Sequence, residues 1–255
     1  MLQPWSSLQD LSRSADSLCR QKSICSGHGN KAINEKTQTI TQPPCDDEKM
    51  SEILGYGEDA FTFWALKHRL SSILDHFDDE TNLSDCLIFY RPSFGRHSKE
   101  GAAIFGEFDA IIGSLENIYL IESKWDNLIG FKEEELTLRK EQIIRHQIFS
   151  WYLTHWDTKY VNKWTDFEIE HRPSFNFKGK KIAPPNSVLA ANLEFILSRL
   201  LQCCRKLPTE NSIKNVLLFF YKGGSKPAFK VDRSFELVPI EYGQEISANF
   251  ISLSS

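Results

Sequence analysis

Apolar residues recur every three to four positions between Glu58 and Leu74, with Phe63, Leu66, Leu70 and Ile73 on one line, which predicts a helix. A short apolar run from Asp85 to Tyr90 reads as a strand, and a loop holding Arg91, Pro92, Arg96, His97 and Lys99 follows it. Ala102 to Ile112 and Asn117 to Trp125 read as two more strands, the second with Ile118, Tyr119, Leu120 and Ile121 in a row. The charged stretch Lys132 to Glu135 then opens a long helix to about Leu153, whose apolar line is Leu136, Ile144, Ile148 and Trp151, with Ile143 alongside. A further helix spans Val188 to about Leu201. Asn215 to Tyr221 is nearly all apolar, as a strand covered on both faces must be, and Phe229 to Ile240 supplies one more. Helix, three strands, helix, insertion, helix and two strands make an α/β fold, a central mixed β-sheet flanked by helices.

Two regions depart from this periodicity. Residues 1–48 are polar, rich in Ser, Gln, Lys and Thr, and end at Pro43-Pro44; they read as an N-terminal arm before a main domain over 49–255. Leu8, Leu11, Ala15 and Leu18 allow one amphipathic helix within it. Residues 154–185 form an insertion in which Trp156, Tyr160, Trp164, Phe167, Phe175 and Phe177 alternate with Lys and Arg.

A chain of 255 residues, 41% hydrophobic and 25% charged, has material for a real core. Its net charge of −4 advertises no global affinity for nucleic acid, yet leaves room for a local basic groove. No basic-then-apolar leader and no apolar run of about 20 residues stands out, so a soluble cytoplasmic protein is expected. Six cysteines are too few and scattered for a disulfide scaffold, and the spacing of Cys19, Cys25, His28 and Cys45 fits no usual zinc pairing.

Candidate chemistry concentrates between Gly106 and Asp126. Side chains alternate across a strand, so Glu107, Asp109 and Ile111 share one face of the second strand, and Ile118, Leu120, Glu122 and Lys124 share one face of the third. If Ser114 to Asn117 form a four-residue hairpin loop, Gly113 pairs with Ile118 and Asp109 lands opposite Glu122 on one face. Two carboxylates that close repel each other unless a cation intervenes. Lys124 supplies one charge, and oxygen-only ligands point to Mg²⁺, with Mn²⁺ as substitute, supplying the rest. Such a site suits phosphodiester cleavage, with Lys124 serving the attacking water or the developing charge. An acid two residues before a lysine also occurs at Asp47/Lys49 and Asp157/Lys159, but only Glu122/Lys124 follows an apolar strand with an acidic strand upstream. A solvated cross-strand ion pair is the plainer alternative.

Asp109, a short spacer, then Glu122-Ser123-Lys124 on the next strand resembles the PD-(D/E)xK nuclease superfamily, also called restriction-endonuclease-like. The resemblance covers about Glu58 to Leu153, with Asn215 to Tyr221 as a further core strand, and Phe108 stands where the motif places proline. It implies a restriction-endonuclease-like core and Mg²⁺-dependent DNA cleavage. Metal binding would fall on Asp109, Glu122 and the backbone carbonyl of Ser123, and activation of water on Lys124. A first-helix glutamate of some members would be Glu58, in preference to Asp59. A glutamine on the helix after the lysine strand would be Gln147, with Gln142 the weaker choice. Glu107 is a candidate to support the site.

Basic residues supply candidate DNA contacts. Arg172, Lys178, Lys180 and Lys181, with His171, Phe175 and Phe177 among them, form an acid-free stretch whose cations suit phosphates and whose rings suit bases. A basic loop over ordinary core aromatics is the alternative. Arg91, Arg96 and Lys99 precede the catalytic strand and are further phosphate candidates. The favoured expectation is a type II restriction-type endonuclease acting as a homodimer, since two-fold symmetry supplies two sites on a palindrome. A repair or recombination nuclease on branched or single-stranded DNA, and a non-cleaving nucleic-acid-binding protein of the same fold, remain as alternatives.

Overall fold

The computed structural model describes residues 52–94, 106–125, 135–177, 179–224, 230–243, 246–247 and 250–254. All belong to one unit, Lys49–Ser255. The polar segment 1–48, with its candidate helix and its Cys and His residues, lies outside the described residues.

The elements run β1 (Leu54–Tyr56), α1 (Gly57–His68), α2 (Leu70–Asp75), β2 (Leu87–Tyr90), β3 (Ala110–Gly113), β4 (Ile118–Trp125), β5 (Glu135–Leu136), α3 (Lys140–His155), α4 (Trp164–His171), α5 (Val188–Cys203), β6 (Ile213–Lys222), β7 (Lys230–Val231), β8 (Glu236–Tyr242), β9 (Ile246–Ser247) and β10 (Phe250–Ser252). The central sheet has five strands in the order β2-β3-β4-β6-β8. β2, β3 and β4 are antiparallel neighbours, whereas β4, β6 and β8 run parallel. The fold is therefore α/β, a mixed sheet flanked by helices. Among the described residues no helix is long and apolar enough to cross a membrane.

Alternation along the hairpin strands divides the core. Ile111, Ile118 and Leu120 face the α3 and α5 side, packing with Ile148, Phe149, Tyr152, Leu193 and Leu197. Ala110, Ile112, Tyr119 and Ile121 face α1 and α2, packing with Phe61, Trp64, Ala65 and Ile73. Burial of each such large side chain contributes about 1.5–3 kcal/mol, so the two helix layers hold the hairpin from both faces.

Several boundaries differ from the sequence pattern. The first helix breaks at Arg69, and Phe63, expected on its core line, is half-exposed against Tyr90 while Phe61 and Ala65 are fully buried. Regular pairing of the second hairpin partner starts at Ala110; upstream, Glu107 makes a single bridge to Ser93. Helix α3 begins at Lys140, because Glu135–Leu136 pairs in parallel with Lys230–Val231 instead. The expected strand over 229–240 is accordingly two pieces, β7 and β8.

The 154–185 stretch is core rather than a detached insertion. Trp156, Tyr160, Trp164 and Phe167 are buried, and Phe175 and Phe177 pack half-buried against the same cluster. The rings of Trp164, Phe167 and Phe175 lie edge-on or tilted to Trp151 or Tyr152 at centroid distances of 4.8–6.0 Å. This packing agrees with a basic loop over core aromatics, although Phe175 and Phe177 keep part of their surface exposed.

Candidate active site

The β3–β4 register places Ala110 opposite Ile121 and Gly113 opposite Ile118, with a four-residue loop between, as the hairpin argument requires. One step further along the ladder, Asp109 N–H donates to the Ile121 carbonyl at 3.2 Å and Asp109 comes beside Glu122. The helix α1 brings a third carboxylate. Glu58 lies in its first turn, in line with the buried Phe61 and Ala65, and so turns inward, where its Oε1 lies 3.5 Å from Lys124 Nζ. Thr62 Oγ1 lies 2.8 Å from both the Glu58 carbonyl and Ser123 Oγ, which fixes α1 to β4 next to the site. The neighbouring Asp59 turns outward and pairs with Arg91.

Glu58, Asp109, Glu122 and Lys124 line one cavity of about 330 Å³, together with Arg91, Glu107, Arg139, Gln142 and Arg145. The four acids and bases predicted from the hairpin and first helix thus converge. Gln147 does not: it is exposed on α3, and Gln142 takes the position facing the site. The physical reason is that α3 presents Gln142, His146, Phe149 and Leu153 inward, at spacings of 4, 3 and 4 residues. Its first two inward turns are polar because they close over Glu122 rather than over the apolar core. The apolar Ile144, which suggested the other face, is 38% exposed.

The two paired acids have different surroundings. Asp109 accepts one bond, from Ser123 N–H at 2.7 Å. Burial and the nearby Glu122 charge push its carboxyl up to about 7. Glu122 is almost fully buried, yet richly supplied with donors: Gln142 Nε2 at 2.5 Å on Oε2, with His146 Nε2 at 3.1 Å and Arg145 on Oε1. Burial alone would raise its carboxyl; the His146 bond and the Arg145 charge overcome this and lower it. Burial raises Glu58 as well, with Lys124 offsetting part of the effect.

Neither a family model, nor a curated protein, nor a solved structure matches this chain.

The residues α3 contributes were not singled out by sequence, Gln142 excepted. His146 Nδ1 meets Asn215 Oδ1 at 2.9 Å, and Asn215 Nδ2 donates to the Ser234 carbonyl at 3.1 Å. Gln142 Oε1 accepts the Arg139 N–H at 3.0 Å, which directs its amide nitrogen toward Glu122. The available signal was a run of three polar residues, Arg145 to Gln147, on a helix following an acidic strand.

Two carboxylates meet the protein-ligand demand of Mg²⁺, which keeps several waters and takes one or two. Asp109, half-buried beside Glu122 and accepting a single backbone N–H, keeps lone pairs that a cation could use. Among the described residues no three His, Cys, Asp or Glu side chains are grouped to hold a metal ion.

Of the phosphate candidates, Arg91 lines the cavity mouth, held by Asp59 and by Glu107 at 3.0 Å. Lys180 lines a second cavity of about 310 Å³ that shares Gly106, Arg139, Gln142 and Arg145 with the first. Lys181 is exposed. Arg172 is exposed but bonded at both ends to Glu168, at 2.7 and 2.6 Å. Arg96, Lys99 and Lys178 lie outside the described residues.

Proposed function

We propose that this protein is a metal-dependent nuclease that hydrolyses phosphodiester bonds in DNA, on a restriction-endonuclease-like core. The observation that carries the reading is the convergence of Asp109, Glu122, Lys124 and Glu58, from two strands and a helix, on one polar cavity. A cross-strand ion pair at a solvated edge does not account for it, because Glu122 is buried and Asp109 half-buried inside a cavity that Lys124 and Glu58 also line.

Asp109 and Glu122, with the Ser123 carbonyl, would hold Mg²⁺ or Mn²⁺, which when bound polarises a phosphoryl oxygen and acidifies water. Lys124, balanced by Glu58, holds the attacking water and offsets the charge that grows on the phosphate. Glu107 supports the mouth by fixing Arg91. Arg139 and Lys180, around the adjoining cavity, receive the flanking phosphates. The restriction-type subtype and a homodimer on a palindromic site rest on the resemblance stated above.

The test is cleavage of supercoiled plasmid and of phage DNA with Mg²⁺, Mn²⁺ or EDTA, beside Lys124→Ala. Discrete metal-dependent fragments, absent with Lys124→Ala, are expected. A smear or nicking moves the assignment to a repair-type nuclease. Tight, salt-sensitive binding without cleavage sinks the nuclease reading and leaves a binding protein.

A further inference from the structure

Three side chains donate to Glu122, and two of them are locked. His146 is held by Asn215 and lies between the rings of Phe108 and Phe235, at centroid distances of 4.9 and 4.5 Å. Gln142 is held by the Arg139 N–H. Arg145 is the long and adaptable one. Its guanidinium carbon lies 5.1 Å from the Phe108 ring centroid, and Nη2 reaches Glu122. Its Nε is buried with no hydrogen-bond partner among the described residues. A buried donor left unmet is costly, so this pose does not use all that the guanidinium offers.

The backbone makes room for that pose. Gly106 has φ +91°, and a Cβ there would lie 2.7 Å from Arg145 Nη1. Arg145 also borders both cavities, the acidic one with Asp109 and the one with Lys180 and Arg139.

We infer that Arg145 is the resident counter-cation of Glu122, competes with a divalent cation for that carboxylate, and when displaced turns to a DNA phosphate in the adjoining cavity. This rests on the nuclease reading above. Of the two paired acids, Glu122 is already neutralised by the protein's own cation, while Asp109 accepts a single backbone N–H. A planar fork that binds carboxylate and phosphate equally well is suited to such an exchange.

The experiment titrates full-length wild type, Arg145→Met and Asp109→Asn/Arg145→Met with Mn²⁺ alone, by calorimetry and by the loss of the free-ion paramagnetic signal. Arg145→Met keeps an apolar stem over Phe108; Arg145→Gln serves if its melting curve shows loss of fold. The charge-removing variant is expected to bind Mn²⁺ about tenfold more tightly than wild type, a difference of about 1.4 kcal/mol. The double variant is expected to lose the site. In Ca²⁺, Arg145→Met should bind a DNA duplex more weakly, with a salt slope shallower by about 1. Equal, Asp109-dependent Mn²⁺ affinity in wild type and variant overturns the competition while leaving the nuclease reading intact. Absence of an Asp109-dependent Mn²⁺ site in every protein overturns both.

Discussion

A carboxylate sits at each end of the β3–β4 hairpin, the buried Asp79 from the segment after α2 at the loop end and the half-buried Asp109 at the open end, and the two are furnished in opposite ways. At the loop end, Asp79 receives Thr81 N–H and hydroxyl on one oxygen, and Ser114, Asn117 and Tyr119 on the other, at 2.6–3.0 Å. Burial alone would push this acid up, but the bonds from Asn117, Ser114, Thr81 and Tyr119 hold it well below the usual carboxylate range. At the open end, Asp109 receives one backbone N–H and is pushed up to about 7. A carboxylate saturated with donors has no capacity left for a ligand and serves to fix the loop. A buried carboxylate with one donor beside another acid is a cost to folding that a bound cation or substrate removes.

The sharpest test of that contrast exchanges the two acids' losses. Asp109→Ala is expected to cut metal-dependent cleavage by about a thousandfold or more, while its melting temperature stays level or rises. Asp79→Ala is expected to leave five donors unmet, four side-chain and one backbone, and to cost roughly 2–4 kcal/mol, about 5–15 °C in melting temperature. Its activity per folded molecule should change little. If Asp79→Ala abolished cleavage without lowering the melting temperature, the division of labour between the two ends would be wrong.

The pH dependence of stability separates them with opposite signs. Asp109 binds its proton more tightly folded than unfolded. Its contribution to stability is therefore fully present below about pH 4 and lost as pH rises through about 7, on the order of 2–4 kcal/mol. Asp79 behaves conversely: its contribution is present above about pH 4 and lost as acid takes the pH below that. Metal-free Asp109→Asn should thus unfold less readily than wild type at pH 8 and no less readily at pH 4. Denaturant melts at both pH values check this; an unchanged difference between pH 4 and 8 would remove Asp109 as the responsible group.

Much of the open end was legible because hairpin geometry is local. A two-residue side-chain period and a four-residue loop suffice to bring Asp109 beside Glu122. Glu58 was legible for a similar reason, since it shares a helical line with Phe61 and Ala65. The aromatic stretch 154–185 was less legible because interleaved Lys and Arg look the same over a core as over a ligand. The packing of Trp164 and Phe167 against Tyr152 of α3 is what places these rings on the core.

Helix α3 shows the limit most clearly, and it carries the smallest of the expected effects. Reading the inner face from Ile144, Ile148 and Trp151 assumes that what faces inward is apolar. Here the helix starts over a buried carboxylate, so its inward residues there are donors: Gln142, with His146 one turn on. Gln142→Ala removes one of the donors on Glu122 and is expected to cost about 1–2 kcal/mol. Gln147→Ala, on the exposed side of the same helix, should change stability by no more than about 0.5 kcal/mol. The two substitutions match in residue type and element, but Gln142 also caps α3 by accepting the Arg139 N–H, so part of its cost is the lost cap. Denaturation midpoints that differ by less than about 0.5 kcal/mol would mean that the polar face of α3 does not hold Glu122, and the charge balance at the open end of the hairpin would then have to rest on Arg145 and His146 alone.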